Sequence, residues 1–209
     1  MPVAALAFCQ NDRFLAQGDL GRIALWDLAE AKVSRFLKSQ TMEGRVKCLA
    51  FLEKKKLFAC GEGLEGKSGV VHLLSVEDSE EISCFRDPKD VVMAIAADPS
   101  EKLLACGATD GFLYLYDIES KGLRKKLKAH RDWITAIQFL SGGNTFATAS
   151  CDRTVRFWKT GDFSSAGSIT FSEALWGLGI GSKGQLVAAS AYGPTRPVSY
   201  THLTLPTKA

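Results

Sequence analysis

Residues Ala129–Trp158 read AHRDWITAIQFLSGGNTFATASCDRTVRFW. An apolar run from Ile134 alternates with small and polar residues until Ser141-Gly142-Gly143-Asn144 interrupts it. A second run follows, Cys151-Asp152-Arg153 breaks the chain again, and Val155-Arg156-Phe157-Trp158 closes the stretch. Alternation of this kind argues for half-buried strands, and the Gly, Asn and Asp clusters argue for tight turns between them.

The same grammar recurs along the chain. One unit runs from Val3 to Leu28, a second from Val46 to Val76, a third from Val91 to Ile118 and a fourth from Ile134 to Trp158. A fifth opens with LWGLGIGSKGQLVAASAYG from Leu175. The residue closing the third strand falls at Trp26, Leu74, Tyr116 and Trp158, and the last two steps are 42 residues each. Four short strands repeating every ~40–45 residues is the spacing of propeller blades. Short β-branched or aromatic runs such as Phe112–Tyr116 and Val70–Leu74 carry the strands. Gln10-Asn11-Asp12, Asp98-Pro99-Ser100 and Ser141–Asn144 supply hairpin turns. No segment sustains helical periodicity for three turns; Ala29–Lys32 comes nearest and is too short. The expected fold class is all-β.

These units resemble the blades of WD-repeat β-propellers. Trp26-Asp27 is the signature dipeptide of that family, and Tyr116-Asp117 is its near relative. The fourth unit matches best, with Ala129-His130 where the family has Gly-His, followed by Thr148, Asp152 and Trp158. The resemblance implies a buried tetrad in which His130 bonds to Asp152, Thr148 orients the imidazole and Trp158 closes the network through its indole N–H. A buried carboxylate is costly unless donors satisfy it, and a closed network then stiffens the blade. The other units depart from the pattern. The third keeps Asp110 but has Cys106 and Pro88 in place of the Thr and His, so its tetrad is not expected to close. The second has a long turn, GEGLEGKSG, without Asp, and the first has a short one, GDLG. Those units are expected to rely on apolar packing between blades.

The resemblance predicts about four complete four-stranded blades and a truncated fifth within residues 1–191, an open arc of a larger propeller that is seven-bladed by family habit. The fifth unit is expected to stop after its second strand. Residues 192–209 are set apart as an irregular tail, because Pro194, Pro197 and Pro206 break the blade grammar. PVSYTHLTLPTKA resembles adapter or read-through sequence, although Val198–Leu205 alternates and would still pair as a strand.

Twenty-six basic against 23 acidic residues give a net charge of +3, too balanced to argue for nucleic acid. Lys54-Lys55-Lys56 falls in a hairpin turn, and Arg124-Lys125-Lys126 with Lys128 falls on an outer strand, where charge guards an edge. No run of 18 apolar residues is present to span a membrane, and Met1-Pro2-Val3 opens no signal peptide. The six cysteines, Cys9, Cys48, Cys60, Cys84, Cys106 and Cys151, form no Cys-x-x-Cys pair, which fits a reducing, cytoplasmic setting. His72, His130 and His202 show no metal-ligand spacing with them, so neither metal nor cofactor is implied. Phosphate loops, nucleophile elbows and zincin motifs are all missing. The His130–Thr148–Asp152 set superficially suggests a hydrolase triad, but at this spacing the structural tetrad is the stronger reading.

Recognition remains. In the family, partners meet the top face, where residues entering each inner strand and the residue before the turn Asp are displayed. Carried over by alignment, these are Arg45 and Lys47, Met93 and Thr109, Trp133, Thr135 and Cys151, and Trp176. Arg and Trp dominate interface energetics; for each Trp, packing between blades is the competing role. The leading expectation is a non-enzymatic scaffold for a protein or peptide partner. The alternative is a sensor or regulatory propeller within a larger multidomain enzyme whose catalytic domain lies elsewhere.

Overall fold

The computed structural model describes residues 5–140, 142–180 and 186–190, and the backbone of 199–203. Every regular element among them is a β-strand, and among the described residues no helix is long and apolar enough to cross a membrane. Blade 1 is built from β1 (Ala5–Cys9), β2 (Phe14–Asp19), β3 (Arg22–Asp27) and β4 (Lys32–Leu37). Blade 2 holds β5 (Cys48–Leu52), β6 (Leu57–Leu64), β7 (Ser68–Ser75) and β8 (Glu81–Phe85). Blade 3 holds β9 (Val92–Ala97), β10 (Leu103–Ala108), β11 (Phe112–Asp117) and β12 (Gly122–Lys128). Blade 4 holds β13 (Ile134–Phe139), β14 (Thr145–Ser150), β15 (Thr154–Lys159) and β16 (Ser165–Thr170). Blade 5 contains β17 (Leu175–Ile180), β18 (Leu186–Ser190) and β19 (Ser199–Leu203).

Each sheet is an antiparallel meander in chain order. The inner strands β1, β5, β9, β13 and β17 pack successively against one another, and the sheets do not close into a ring. The third strand of blade 5 corrects the sequence expectation. Ser199–Leu203 pairs with β18 in the register Leu186↔Leu203 to Ser190↔Ser199. Alternation in Val198–Leu205 was the signal for it, and the prolines obscured it. Residues 191–198 and 204–209, with all three prolines, lie outside the described residues.

The core is a series of interfaces between blades. Each blade turns large residues toward the preceding blade, which answers with smaller ones. Phe58 and Leu74 of blade 2 pack with Ala16, Ile23 and Leu25 of blade 1. Leu104 and Tyr116 of blade 3 meet Ala59, Val71 and Leu73 of blade 2. Phe146 and Trp158 of blade 4 meet Ala105, Leu113 and Leu115 of blade 3. Fully burying side chains of this size stabilises by roughly 1.5–3 kcal/mol each. Glycines permit the close approach: a Cβ on Gly107 would lie 2.4 Å from Ile134 Cγ2, and one on Gly61 would lie 2.6 Å from Val92 Cγ1.

The WD-type Asp residues cap the turn between third and fourth strands. Asp27 Oδ1 accepts from the N–H groups of Ala29 and Glu30, and Asp117 Oδ1 accepts from those of Glu119 and Ser120. The lysine turn between β5 and β6 is clamped by a neighbour. The Glu101 carboxylate, 8 % exposed, accepts the backbone N–H groups of Lys54 and Lys55 at 3.0 and 2.9 Å. The basic residues of β12 are mostly exposed at the outer edge of their sheet.

Candidate functional site

Blades 4, 3 and 2 each carry a polar network, and a pocket spans the same three blades. In blade 4, His130 Nδ1 lies 3.0 Å from Asp152 Oδ2, and His130 Nε2 lies 2.7 Å from Thr148 Oγ1. Trp158 Nε1–H donates to the same Thr148 oxygen at 3.0 Å. The donors form a one-way chain: indole N–H to the Thr148 oxygen, Thr148 O–H to Nε2, and Nδ1–H to the carboxylate. That chain requires a neutral imidazole. Burial holds the His130 pKa below its ordinary value, outweighing the attraction of Asp152. Burial alone would raise the Asp152 carboxyl. Hydrogen bonds from the Thr154 hydroxyl, the Arg131 N–H and His130 overcome it and bring the carboxyl down to about 2. Thr148 is fully buried and His130 nearly so. The triad-like residues are thus bonded to one another in a buried network that Trp158 joins.

Blade 3 forms no such tetrad, as its Cys106 and Pro88 imply, and satisfies its turn carboxylate by other means. Asp110 accepts the Tyr114 O–H at 3.0 Å and the Phe112 N–H at 2.9 Å. Tyr114 faces Cys106 across the sheet, as Arg156 faces Thr148 in blade 4. Blade 2 uses the same facing position for a histidine. His72, opposite Cys60, is fully buried. Its Nδ1 lies 2.7 Å from Glu81 Oε1 and its Nε2 lies 3.2 Å from Glu62 Oε1. Both ring nitrogens face carboxylates, so both carry hydrogens. Burial opposes that charge, but the hydrogen bonds to Glu62 and Glu81 outweigh it and raise the pKa. Glu62 also accepts the Gly44 N–H at 2.8 Å, and Glu81 accepts the hydroxyls of Ser39 and Thr41. The segment joining blades 1 and 2 is thereby tied to blade 2. Sequence reasoning missed this network. The available signal was a His within the apolar run Val70–Leu74, which a buried strand holds only with polar partners.

A pocket of about 170 Å³ lies across blades 2, 3 and 4. Its walls are Lys47, Glu65, Asp90, Val91, Met93, Thr109 and Trp133. It brings together four of the eight residues singled out for recognition: Lys47, Met93, Thr109 and Trp133. Trp133 is 41 % exposed and meets Trp176, 47 % exposed, edge to face at 6.5 Å between ring centroids. The other three lie elsewhere. Arg45 turns toward blade 1, where its guanidinium is 3.8 Å from Asp19. Thr135 donates its hydroxyl to the Leu175 carbonyl at 2.7 Å, joining blades 4 and 5. Cys151 is half-buried, its backbone N–H donates to the Trp133 carbonyl, and burial raises its thiol pKa.

Glu65 and Asp90 were not anticipated. Strands β6 and β7 are eight residues long, against six in β10, β11, β14 and β15. Two more residues lift the hairpin tip by about 7 Å. The tip carries Glu65, and it is fastened where Gly66 N–H donates to Asp90 Oδ1 at 3.0 Å. The Asp90 pKa is lowered: burial would raise it, but the N–H groups of Val91 and Gly66 prevail. The glycines of GEGLEGKSG read as a long turn, yet Gly63 and Gly69 are strand residues packed against backbone. A Cβ on either would fall 2.4 Å from the Ser68 oxygen or 2.1 Å from the Asp90 oxygen.

The fold is that of a blade-repeat protein whose sheets stack around a common inner edge. The family model "WD domain, G-beta repeat" matches residues 79–117 and 121–159, which begin 42 residues apart and each take in one outer strand and the three strands that follow. The chain carries WD repeats, folded as β-propeller blades. It is similar to the nematode "Transcription factor unc-37" (Caenorhabditis elegans), 23 % identical over 85 % of this chain and 30 % of that protein. It is also similar to the mouse "Serine-threonine kinase receptor-associated protein" (Mus musculus), 26 % identical over 73 % of this chain and 41 % of the relative. The chicken "WD repeat-containing protein 1" (Gallus gallus) is 25 % identical over 77 % and 27 %. The chain spans less than half the length of each.

Proposed function

We propose that the chain is the non-catalytic, partner-binding part of a WD-repeat scaffold, and that the rim around Trp133 receives a protein or peptide. The observation that carries this reading is the pocket joining Lys47, Met93, Thr109 and Trp133 from three blades, with an exposed aromatic residue in its wall. WD-repeat relatives are generally interaction scaffolds, which supports the reading. A rigid blade stack needs no conformational change to present such a rim, so little binding energy is lost to ordering. Six unpaired cysteines suit a reducing compartment, and we place the protein in the cytoplasm.

The test compares Trp133→Ala with Lys55→Ala as baits in affinity capture. Truncating an aromatic anchor typically costs about 2 kcal/mol or more, so proteins retained by the unmodified chain are expected to be lost from the Trp133→Ala bait. They should remain on Lys55→Ala, whose lysine lies in the clamped turn far from the rim. The reverse pattern would move the contact surface to the opposite face.

A further inference from the structure

We propose that the Trp133 pocket selects a basic side chain, lysine or arginine, from its partner. The inference rests on the scaffold reading above and names the chemistry of the ligand. Three features of the pocket point the same way. Its charged residues are Glu65, Asp90 and Lys47, two carboxylates against one ammonium. Asp90 is held ionised by the backbone N–H groups of Gly66 and Val91, so its charge is fixed in place before any ligand arrives. The remaining walls are Trp133, Met93, Val91 and Thr109. These suit the aliphatic stem of a long basic side chain, and Trp133 adds an aromatic surface that attracts a cation.

The extended hairpin of blade 2 makes the difference. Without the extra residues of β6 and β7, Glu65 would not stand above the top face, and the side of the pocket formed by blade 2 would present Lys47 alone. The hairpin supplies one carboxylate and anchors the other through Gly66. An acidic ligand would leave Glu65 and Asp90 facing like charge, which penalises the wrong partner.

The test uses the full chain with 15N-labelled indoles and three capped pentapeptides, acetyl-Gly-Gly-X-Gly-Gly-amide with X as Arg, Lys or Glu. The Trp133 indole signal is assigned as the one lost in Trp133→Phe. It is expected to shift on titration with the Arg and Lys peptides and to stay in place with the Glu peptide. Glu65→Gln, an exposed turn substitution, is expected to weaken the basic peptides about threefold, as for an exposed charge pair. Unmoved Trp26 and Trp158 indoles in each variant show that the fold is intact. A Glu peptide that shifts Trp133 as strongly as the basic ones overturns the proposal, as does a basic-peptide response unaltered in Glu65→Gln. If Trp133→Ala abolishes partner capture while the peptides show no preference for positive charge, the rim reading stands and this inference falls.

Discussion

His72 and His130 are both buried beside carboxylates, yet their pKa values move in opposite directions. His130 has one carboxylate and one hydroxyl, and burial wins, so its pKa is lowered. His72 has a carboxylate at each nitrogen, and the pair outweighs burial, so its pKa is raised. Linkage gives each a distinct pH signature. The folded pKa of His72 is raised, so its stabilisation is complete below about pH 6.5, the unfolded value, and is lost as pH rises through the folded value. The folded pKa of His130 is depressed, so below about pH 6.5 the unfolded chain takes up a proton that the native state refuses, and stability falls. Asp152 adds a loss at stronger acid, as pH drops from about 3.9 toward its folded value of about 2. Thermal midpoints measured across pH should peak near neutrality. His72→Gln should flatten the alkaline side, and a variant that kept the full alkaline decline would refute the charge assignment. His130→Ala removes one buried partner from Asp152 and one from Thr148 and should cost on the order of 1–3 kcal/mol. Denaturation of the purified variant checks it, an unchanged midpoint being incompatible with the bond chain.

At the level of the element, the second strand of each blade carries a small residue against the next inner strand. Gly107 is the tightest case, with Ile134 fully buried across from it. Gly107→Ala puts a methyl group into space held by Ile134 Cγ2, an overpacking that should cost about 1–3 kcal/mol. Chemical denaturation reads the effect directly, an unchanged midpoint being incompatible with the close approach of Gly107 to Ile134. Shortening the β6–β7 hairpin by two residues on each strand should preserve the sheet, because blades of six-residue strands already pair in this molecule. It should abolish the anchoring of Asp90, visible as loss of hydrogen-exchange protection at Gly66 and Val91.

Across the whole molecule, the blades stack in one direction and each covers the large residues of the next. Blade 1 has the same kind of face, and it is exposed. Ala5 and Cys9 of β1 pack into the interface with blade 2, while the alternating Leu6 and Phe8 are 56 % and 60 % exposed. Across the sheet, Phe8 lies beside Leu15, which is paired with Trp26, the counterparts of Phe146 and Trp158 in blade 4. An apolar sheet face of this kind promotes association. The isolated chain should therefore self-associate with rising concentration, and Phe8→Lys should reduce that association in sedimentation or light-scattering measurements. Equal association of both proteins would place the sticky surface elsewhere.

The sequence by itself determined the architecture, because a 42-residue step and period-two alternation are local signals that each blade repeats. It also located the bonded set His130, Thr148, Asp152 and Trp158 by resemblance, since that blade keeps the residue types at their usual spacing. It could not show how blades 2 and 3 replace the set. Their substitutes, Glu81–His72–Glu62 and Tyr114–Asp110, meet only when strands pair and the connection from blade 1 folds over. Nor could it separate the rim residues. Lys47, Met93, Thr109 and Trp133 reach one pocket, whereas Arg45 and Thr135 are taken up by neighbouring blades. Glu65 became part of that pocket because glycines that read as a turn lengthened two strands. Pairing partners and side-chain direction across blades are set by packing between segments about forty residues apart, and that information resides in the tertiary structure alone.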